Sequence, residues 1–296
     1  MTQRRFHQLD VFSATPLQGN PLAVVHAAQG LPETTMAAFA RWTNLSETTF
    51  LLPPTQDGAA AGADYRVRIF TPGGELPFAG HPTLGSCFAW LAAGGQPQQS
   101  GIVVQECGVG LVQVRIDEGP SGTRLAFAAP PLLRSGPLDG ALLQRIAAGL
   151  RLPVQTIRQH QWVDNGPGWC AVMLESAHAV RAVQPDWAAL GDIKLGLVGL
   201  WPAGDATRTA EGHGALYEVR ALFASGGARI EDPVTGSLNA SLAQWLMASG
   251  FAPHQYRASQ GHLLQRAGVV HLQQKDGTLW VGGDVAVCVD GQVSLV

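Results

Sequence analysis

The 296-residue chain is short of charge. Its 19 basic and 22 acidic side chains make up 14% of the sequence, against roughly 25% in ordinary soluble proteins. A net charge of −3 supplies no polybasic face, which argues against nucleic acid or an anionic membrane as the main partner. Long apolar runs are missing too. No stretch approaches the roughly 18–20 residues needed to span a bilayer, and Asp10 interrupts the N-terminal segment before an apolar signal core can form. A cytoplasmic location is expected.

Cysteine and lysine are scarce in ways that exclude chemistry. Cys87, Cys107, Cys170 and Cys288 are too widely spaced for a zinc ligand pair or a dense disulfide framework, so reduced thiols are expected. Lys194 and Lys275 are the only lysines, and neither sits in the Gly-Lys-Ser/Thr of a phosphate-cradling loop. Both read as turn or strand-edge lysines rather than as a pyridoxal Schiff base. The nine histidines contain no His-x-x-x-His pair, so a zincin-type metal site is excluded. Gly108-Val-Gly110 has Gln113 where a dinucleotide fingerprint needs glycine, and it joins two strand-like segments, so a hairpin turn explains it better. No metal and no cofactor are expected.

What the chain has in excess is glycine (36) and proline (19), without a fixed period and among 46% apolar residues, a composition that folds. The length suggests two domains, and a repeat within the chain says that they are copies. Tyr65-Arg-Val-Arg-Ile-Phe70 leads through a glycine loop to Phe78-Ala-Gly-His-Pro-Thr-Leu-Gly85 and a helical Ser86–Leu91. Tyr217-Glu-Val-Arg-Ala-Leu-Phe223 leads through Ser225-Gly-Gly227 to Asp232-Pro-Val-Thr-Gly-Ser-Leu-Asn239 and a helical Ala240–Leu246. Upstream, Gly19–Val25 resembles Asn165–Leu174, a turn feeding an apolar strand. Hairpin strands follow each helix, and amphipathic helices are expected at Pro32–Trp42 and Leu142–Leu150. Ala129-Pro-Pro-Leu132 with Gly136-Pro137 reads as the linker. The expected fold is α+β: two pseudo-symmetric domains, residues 1–129 and 130–296, each an antiparallel-rich sheet wrapped around a central helix. The last strand is free to cross back to the first domain.

A glycine-marked helix N-terminus is an anion site, because its unpaired N–H groups and the macrodipole both favour negative charge. The repeat provides two, at Gly80-His81-Pro82, with Pro82 taken as the first helical residue, and at Thr235-Gly236-Ser237. If the copies face each other, both point into one cleft suited to a small carboxylate. Glu75 and His81 stand at the first entrance, and Glu231, Asp232 and Ser237 at the second. Their bland reading is capping by Asp232 and Ser237 and a turn satisfied by His81; the repeated glycine instead suggests close approach of a ligand. Asn44-Leu-Ser-Glu47 reads as a capping box, but the run Thr48-Thr-Phe-Leu-Leu52 places Glu47 at a strand entrance, where a carboxylate among apolar residues can serve as acid and base in turn.

Asp10-Val-Phe, Gly19-Asn-Pro-Leu-Ala-Val-Val25, Leu45-Ser-Glu-Thr-Thr-Phe50, Glu75-Leu-Pro-Phe-Ala-Gly-His-Pro-Thr-Leu-Gly85, Glu231-Asp-Pro-Val-Thr-Gly-Ser-Leu-Asn239 and Gln260-Gly261 together resemble the phenazine-biosynthesis (PhzF-like) isomerase family. The resemblance runs from about Phe6 to the C-terminus. It implies a diaminopimelate-epimerase-like fold, a homodimer, no cofactor, and an activity similar to trans-2,3-dihydro-3-hydroxyanthranilate isomerase. It also implies that Glu47 is the general acid/base and that Asn20, Gly80, His81, Asp232, Gly236 and Ser237 bind the substrate. Epimerase and proline-racemase relatives use a cysteine near each helix N-terminus. Ala79-Gly80 and Ser237 occupy those places here, and Cys107 falls in the hairpin beyond the first central helix, a decoy for that motif.

The leading expectation is therefore a cofactor-independent isomerase that moves a proton between carbons of a small, cyclic, carboxylate-bearing metabolite. The alternatives are an amino-acid or hydroxy-acid epimerase or racemase with Asp232 or His81 as second base, and a non-catalytic metabolite-binding protein. Substrate choice would fall to the segments 53–64 and 201–214, which carry no readable code.

Overall fold

The alternation that predicts strands is realised in the computed structural model, which describes residues 2–119, 122–225 and 228–295. Gly226 and Gly227 of the second glycine loop lie outside the described residues. Tyr65, Val67 and Ile69 turn inward from the strand Tyr65–Thr71 while Arg66 and Arg68 turn outward, the period of two that a pleated strand imposes. The chain divides into two compact units, Met1–Ala128 with Gly282–Val296, and Ala129–Val281.

In the first unit, Thr2–Val11 is antiparallel to both Val285–Leu295 and Asn20–Val25. Asn20–Val25 runs parallel to Glu47–Leu52, which is antiparallel to Tyr65–Thr71. That strand pairs in turn with the short Gly74–Leu76, antiparallel, and with Ile102–Cys107, parallel, whose hairpin continues to Gly110–Gly119. The second unit repeats the order strand for strand. Trp169–Met173 is parallel to Lys194–Leu200, and Lys194–Leu200 antiparallel to Tyr217–Ser225. The latter pairs antiparallel with Ala228–Asp232 and parallel with Gln255–Gln260, which turns back into Gly268–Lys275.

Each unit encloses one helix. Gly80–Ala92 is buried continuously from Gly80 to Cys87 and packs against strands on all sides of its own unit. Gly236–Ala248 buries Gly236, every residue from Leu238 to Ala243, Trp245 and Leu246. A helix buried all round has no use for charge, and these two contain no Asp, Glu, Lys or Arg. This is where part of the charge shortage is spent.

Amphipathic helices cover the outer faces. Glu33–Thr43 lays Met36, Phe39 and Ala40 on Val25, Phe50 and Phe70, and Gly140–Leu150 lays Ile146 and Leu150 against Leu195, Leu197 and Leu222. At about 1.5–3 kcal/mol for each large apolar side chain removed from water, these stripes hold the helices without help from charge. The fold is α+β, two similar copies of a sheet around a central helix, as the sequence repeat predicts. Two local expectations are revised. Gly136 belongs to a short strand, Arg134–Gly136, which pairs with Gln159–Asp164, so half of the expected linker is sheet. The first central helix begins at Gly80, so Pro82 is its third residue, still among the positions whose N–H has no intrahelical partner.

Candidate active site

Glu47 is the first residue of its strand, and Asn44, in left-handed conformation, ends the preceding helix rather than starting one. The capping-box reading is excluded by this geometry. In the parallel register Glu47 lies beside Leu22, on the face that looks at the enclosed helix. There its Oε2 stands 3.3 Å from Nε2 of His81, the second residue of that helix. His81 is 5% exposed, and burial pushes its pKa down to about 3. Its remaining ring nitrogen bonds the Pro21 backbone carbonyl. A carbonyl only accepts, so Nδ1 carries the proton, and at neutral pH Nε2 is left as an acceptor facing Glu47. The contact at neutral pH is therefore a neutral imidazole beside a carboxyl group, and the protonated carboxyl is the form that can donate to it.

Asn20 opens the strand that also presents Pro21, and it is fully buried. Asn20, Pro21, Glu47 and His81 thus converge on the entrance of one helix. The residue preceding this helix, Ala79, has no side chain with which to cap it, so the amides of Gly80 and His81 meet no capping group from that position. Such an entrance favours an anion.

The second entrance is built differently. Asp232 ends the strand Ala228–Asp232, and its Oδ2 accepts from the hydroxyl of Thr235 at 2.5 Å. Thr235 precedes the helix without capping it, because its hydroxyl is engaged with Asp232. Ser237 is the second residue of the helix and its hydroxyl is engaged with an indole, so the bland reading of Ser237 as a cap is overturned. Ser237 Oγ accepts from the Trp169 indole at 3.1 Å, which leaves its own proton free to be directed elsewhere. The Ser237 carbonyl accepts from Asn165 Nδ2 at 3.0 Å, fixing the helix start against the turn that feeds Trp169–Met173.

Glu75 and Glu231, expected at the entrances, are removed from the candidate site. Each is gripped by an arginine across its hairpin: Arg68 donates to Glu75 at 2.7 and 2.6 Å, and Arg220 to Glu231 at 2.9 Å twice. They are equivalent structural clamps, since Phe70 pairs with Glu75 as Leu222 pairs with Glu231.

The registers equate further positions. Glu47 corresponds to Lys194, Leu22 to Trp169, Leu76 to Asp232, Ala79 to Thr235, His81 to Ser237, and Cys107 to Gln260. Gly108 and Gly261, one residue further on, confirm the match. A Cβ on Gly108 would lie 2.6 Å from Pro77 Cα, and one on Gly261 2.5 Å from the Pro233 carbonyl oxygen. These glycines serve a close approach within the chain, not the approach of a ligand. Cys107 lies at the hairpin end of its strand, and burial pushes its thiol up, opposite to the direction a reactive thiolate needs. Among the described residues, no three His, Cys, Asp or Glu side chains gather as a metal site requires.

Comparison with known proteins settles the family. Residues 9–295 match the family described as "Phenazine biosynthesis-like protein". The chain belongs to this family. Among its curated relatives is fission yeast "Antisense-enhancing sequence 1", 32% identical over 99% of both chains. The trans-2,3-dihydro-3-hydroxyanthranilate isomerase of Pseudomonas aeruginosa is 33% identical over 81% of this chain and 78% of the relative. A solved structure from the same bacterium, titled a predicted epimerase, superposes with a TM-score of 0.74 at 27% identity, covering 98% of this chain and 99% of that one. As a phenazine biosynthesis-like protein, the chain has the epimerase-like fold and isomerase-named kin. The first unit of this family member holds a carboxylate–imidazole pair, and the second a carboxylate–hydroxyl pair.

Gln260, Thr235 and Trp169 were not singled out as site residues by sequence reasoning. The signal available for Gln260 was its place, followed by glycine, at the end of a strand that the repeat duplicates as Cys107-Gly108.

Proposed function

We propose that this protein is a cofactor-independent acid/base isomerase that moves a proton between carbons of a small, cyclic, carboxylate-bearing substrate. The observation that carries the reading is Glu47 at 3.3 Å from a buried His81 whose tautomer is fixed by the Pro21 carbonyl. As carboxylate, Glu47 takes a proton from an sp³ carbon, and the C–H electron pair enters the conjugated system. As carboxylic acid, it returns the proton to a second carbon, taking back its own O–H pair, so the substrate is isomerised and the enzyme regenerated. His81 holds the carboxyl group in place between the two transfers, its Nε2 accepting the O–H when Glu47 is protonated. The amides at Gly80 and His81 offset charge that develops on the substrate. Asp232, Gly236 and Ser237, with Asn20, are assigned to holding its polar groups.

The similarity to trans-2,3-dihydro-3-hydroxyanthranilate isomerase supports that compound as the first to test. Incubation in deuterated water, followed by proton NMR, should give a shifted double bond with one deuterium at the carbon that receives the proton. Loss of optical rotation in an amino-acid or hydroxy-acid panel without a moved double bond would replace this reading by an epimerase.

A further inference from the structure

Behind Asp232 the second unit contains two polar side chains, Thr235 and Gln260, that the proposed reaction leaves without a role. Gln260, 2% exposed, uses its side-chain amide completely. Oε1 accepts from Thr235 N at 3.1 Å and from Asn239 Nδ2 at 2.8 Å, while Nε2 donates to the Asp232 carbonyl and to Thr235 Oγ1, both at 3.0 Å. The orientation is not free. A backbone N–H fixes which end is oxygen, and a backbone carbonyl fixes which end is nitrogen.

The consequence passes to Thr235. Its hydroxyl already accepts from Gln260, so its proton is directed to its other partner, Asp232 Oδ2. Gln260 thereby determines where one carboxylate oxygen of Asp232 is held, although it touches Asp232 only at the backbone.

The repeat separates this from ordinary stapling of strand to helix. In the first unit that task belongs to Gln105, which accepts from the Tyr65 hydroxyl and donates to Thr83 on the central helix. In the second it is met by the Gln260–Asn239 bond. What Gln260 does beyond it has no counterpart: Asp232, Thr235 and Gln260 stand where the first unit has Leu76, Ala79 and Cys107. All three residues are present in one copy and all three are absent from the other, as a set that works together requires.

We infer that Gln260 is a positioning residue for the reaction, acting through Thr235 to hold the Asp232 carboxylate in the orientation that meets the substrate. The inference rests on the assignment of Asp232 to substrate binding.

The test is a double-mutant cycle on the full chain with two readouts. The first needs no substrate: the side-chain carboxyl ¹³C resonance of Asp232, identified by its loss in Asp232→Asn. It should move in Thr235→Val and in Gln260→Leu, and move no further in the double variant. The second is kcat/KM for trans-2,3-dihydro-3-hydroxyanthranilate. Each single variant should lose about tenfold and the double variant about the same, because neighbours in one network are not additive. Thr235→Ser, which keeps the hydroxyl, should restore both readouts, and it remains informative if Gln260→Leu folds poorly. Multiplying losses in the double variant, or an Asp232 resonance unmoved by Thr235→Val, would overturn the inference. If Asp232→Asn itself leaves kcat/KM unchanged, the assignment of Asp232 fails and the inference with it. If Asp232→Asn is severe while Gln260→Leu and Thr235→Val are neutral, the inference alone fails.

Discussion

The duplicated arginine–glutamate clamp supplies its own control for how burial sets the strength of an ion pair. Arg220 and Glu231 have side chains 4% and 12% exposed, and Arg220 also donates to the Val180 and Val183 carbonyls. Arg68 and Glu75 are 18% and 37% exposed, and Arg68 has a second carboxylate, Glu33, at 2.7 Å. Glu231→Gln turns an NH₂ group toward the buried guanidinium and takes the acceptor from one of the two donors that Glu231 holds, and breaking a buried pair in this way costs about 3–5 kcal/mol. Glu75→Gln leaves Arg68 both solvent and Glu33, and the cost should stay near 0–1 kcal/mol. For a unit of this size, about 2–4 °C per kcal/mol places the Glu231→Gln melting temperature roughly 6–20 °C below wild type and that of Glu75→Gln within about 4 °C. Differential scanning calorimetry of both variants measures the contrast. Equal shifts, or a larger shift for Glu75→Gln, would refute the reasoning. Because neither glutamate belongs to the proposed site, Glu75→Gln should also keep full kcat/KM.

Other expectations follow from single contacts. The pKa of His81 is lowered from 6.5 to about 3, so between those values the unfolded chain binds a proton that folded His81 refuses. Its contribution to stability is complete above pH 6.5 and is lost as pH falls toward 3, by up to about 1.4 kcal/mol per pH unit. Urea unfolding at pH 7 and 4.5 should therefore show wild type losing roughly 2–3 kcal/mol more than His81→Gln; parallel losses would contradict the neutral, buried imidazole. Trp169→Phe removes the indole donor from Ser237, a bond of about 1 kcal/mol, so kcat/KM should fall by about fivefold, and an unchanged value would release Ser237 from the proposed site. Cys107→Ser should leave turnover within about twofold, whereas a thiol-based reaction would lose orders of magnitude.

The sequence made the repeat legible because the same strand alternation and the same glycine-marked helix entrance are written twice. Glu47 was readable as a strand residue because Thr48-Thr-Phe-Leu-Leu52 is β-branched and apolar, a run that outweighs a local capping pattern. What was not legible depends on partners brought together by the fold. The clamps on Glu75 and Glu231 require knowing which residues face each other across a hairpin. The Gln260 side chain bonds residues 21 to 28 positions away. The segments 53–64 and 201–214, in which no helix is legible, each hold one short helix, Gln56–Ala60 capped by Thr55 and Ala206–Ala210 capped by Asp205. Elements of one turn leave too few positions for a period to be seen.

The central claim is that Glu47 carries the proton. The direct measurement is the rate of deuterium incorporation into trans-2,3-dihydro-3-hydroxyanthranilate in deuterated water, wild type against Glu47→Gln, with thermal unfolding run on both. The account predicts an unchanged melting transition and a rate lower by at least about 100-fold, the smaller end of what a positioned acid/base contributes. Undiminished exchange in a folded Glu47→Gln protein would contradict it.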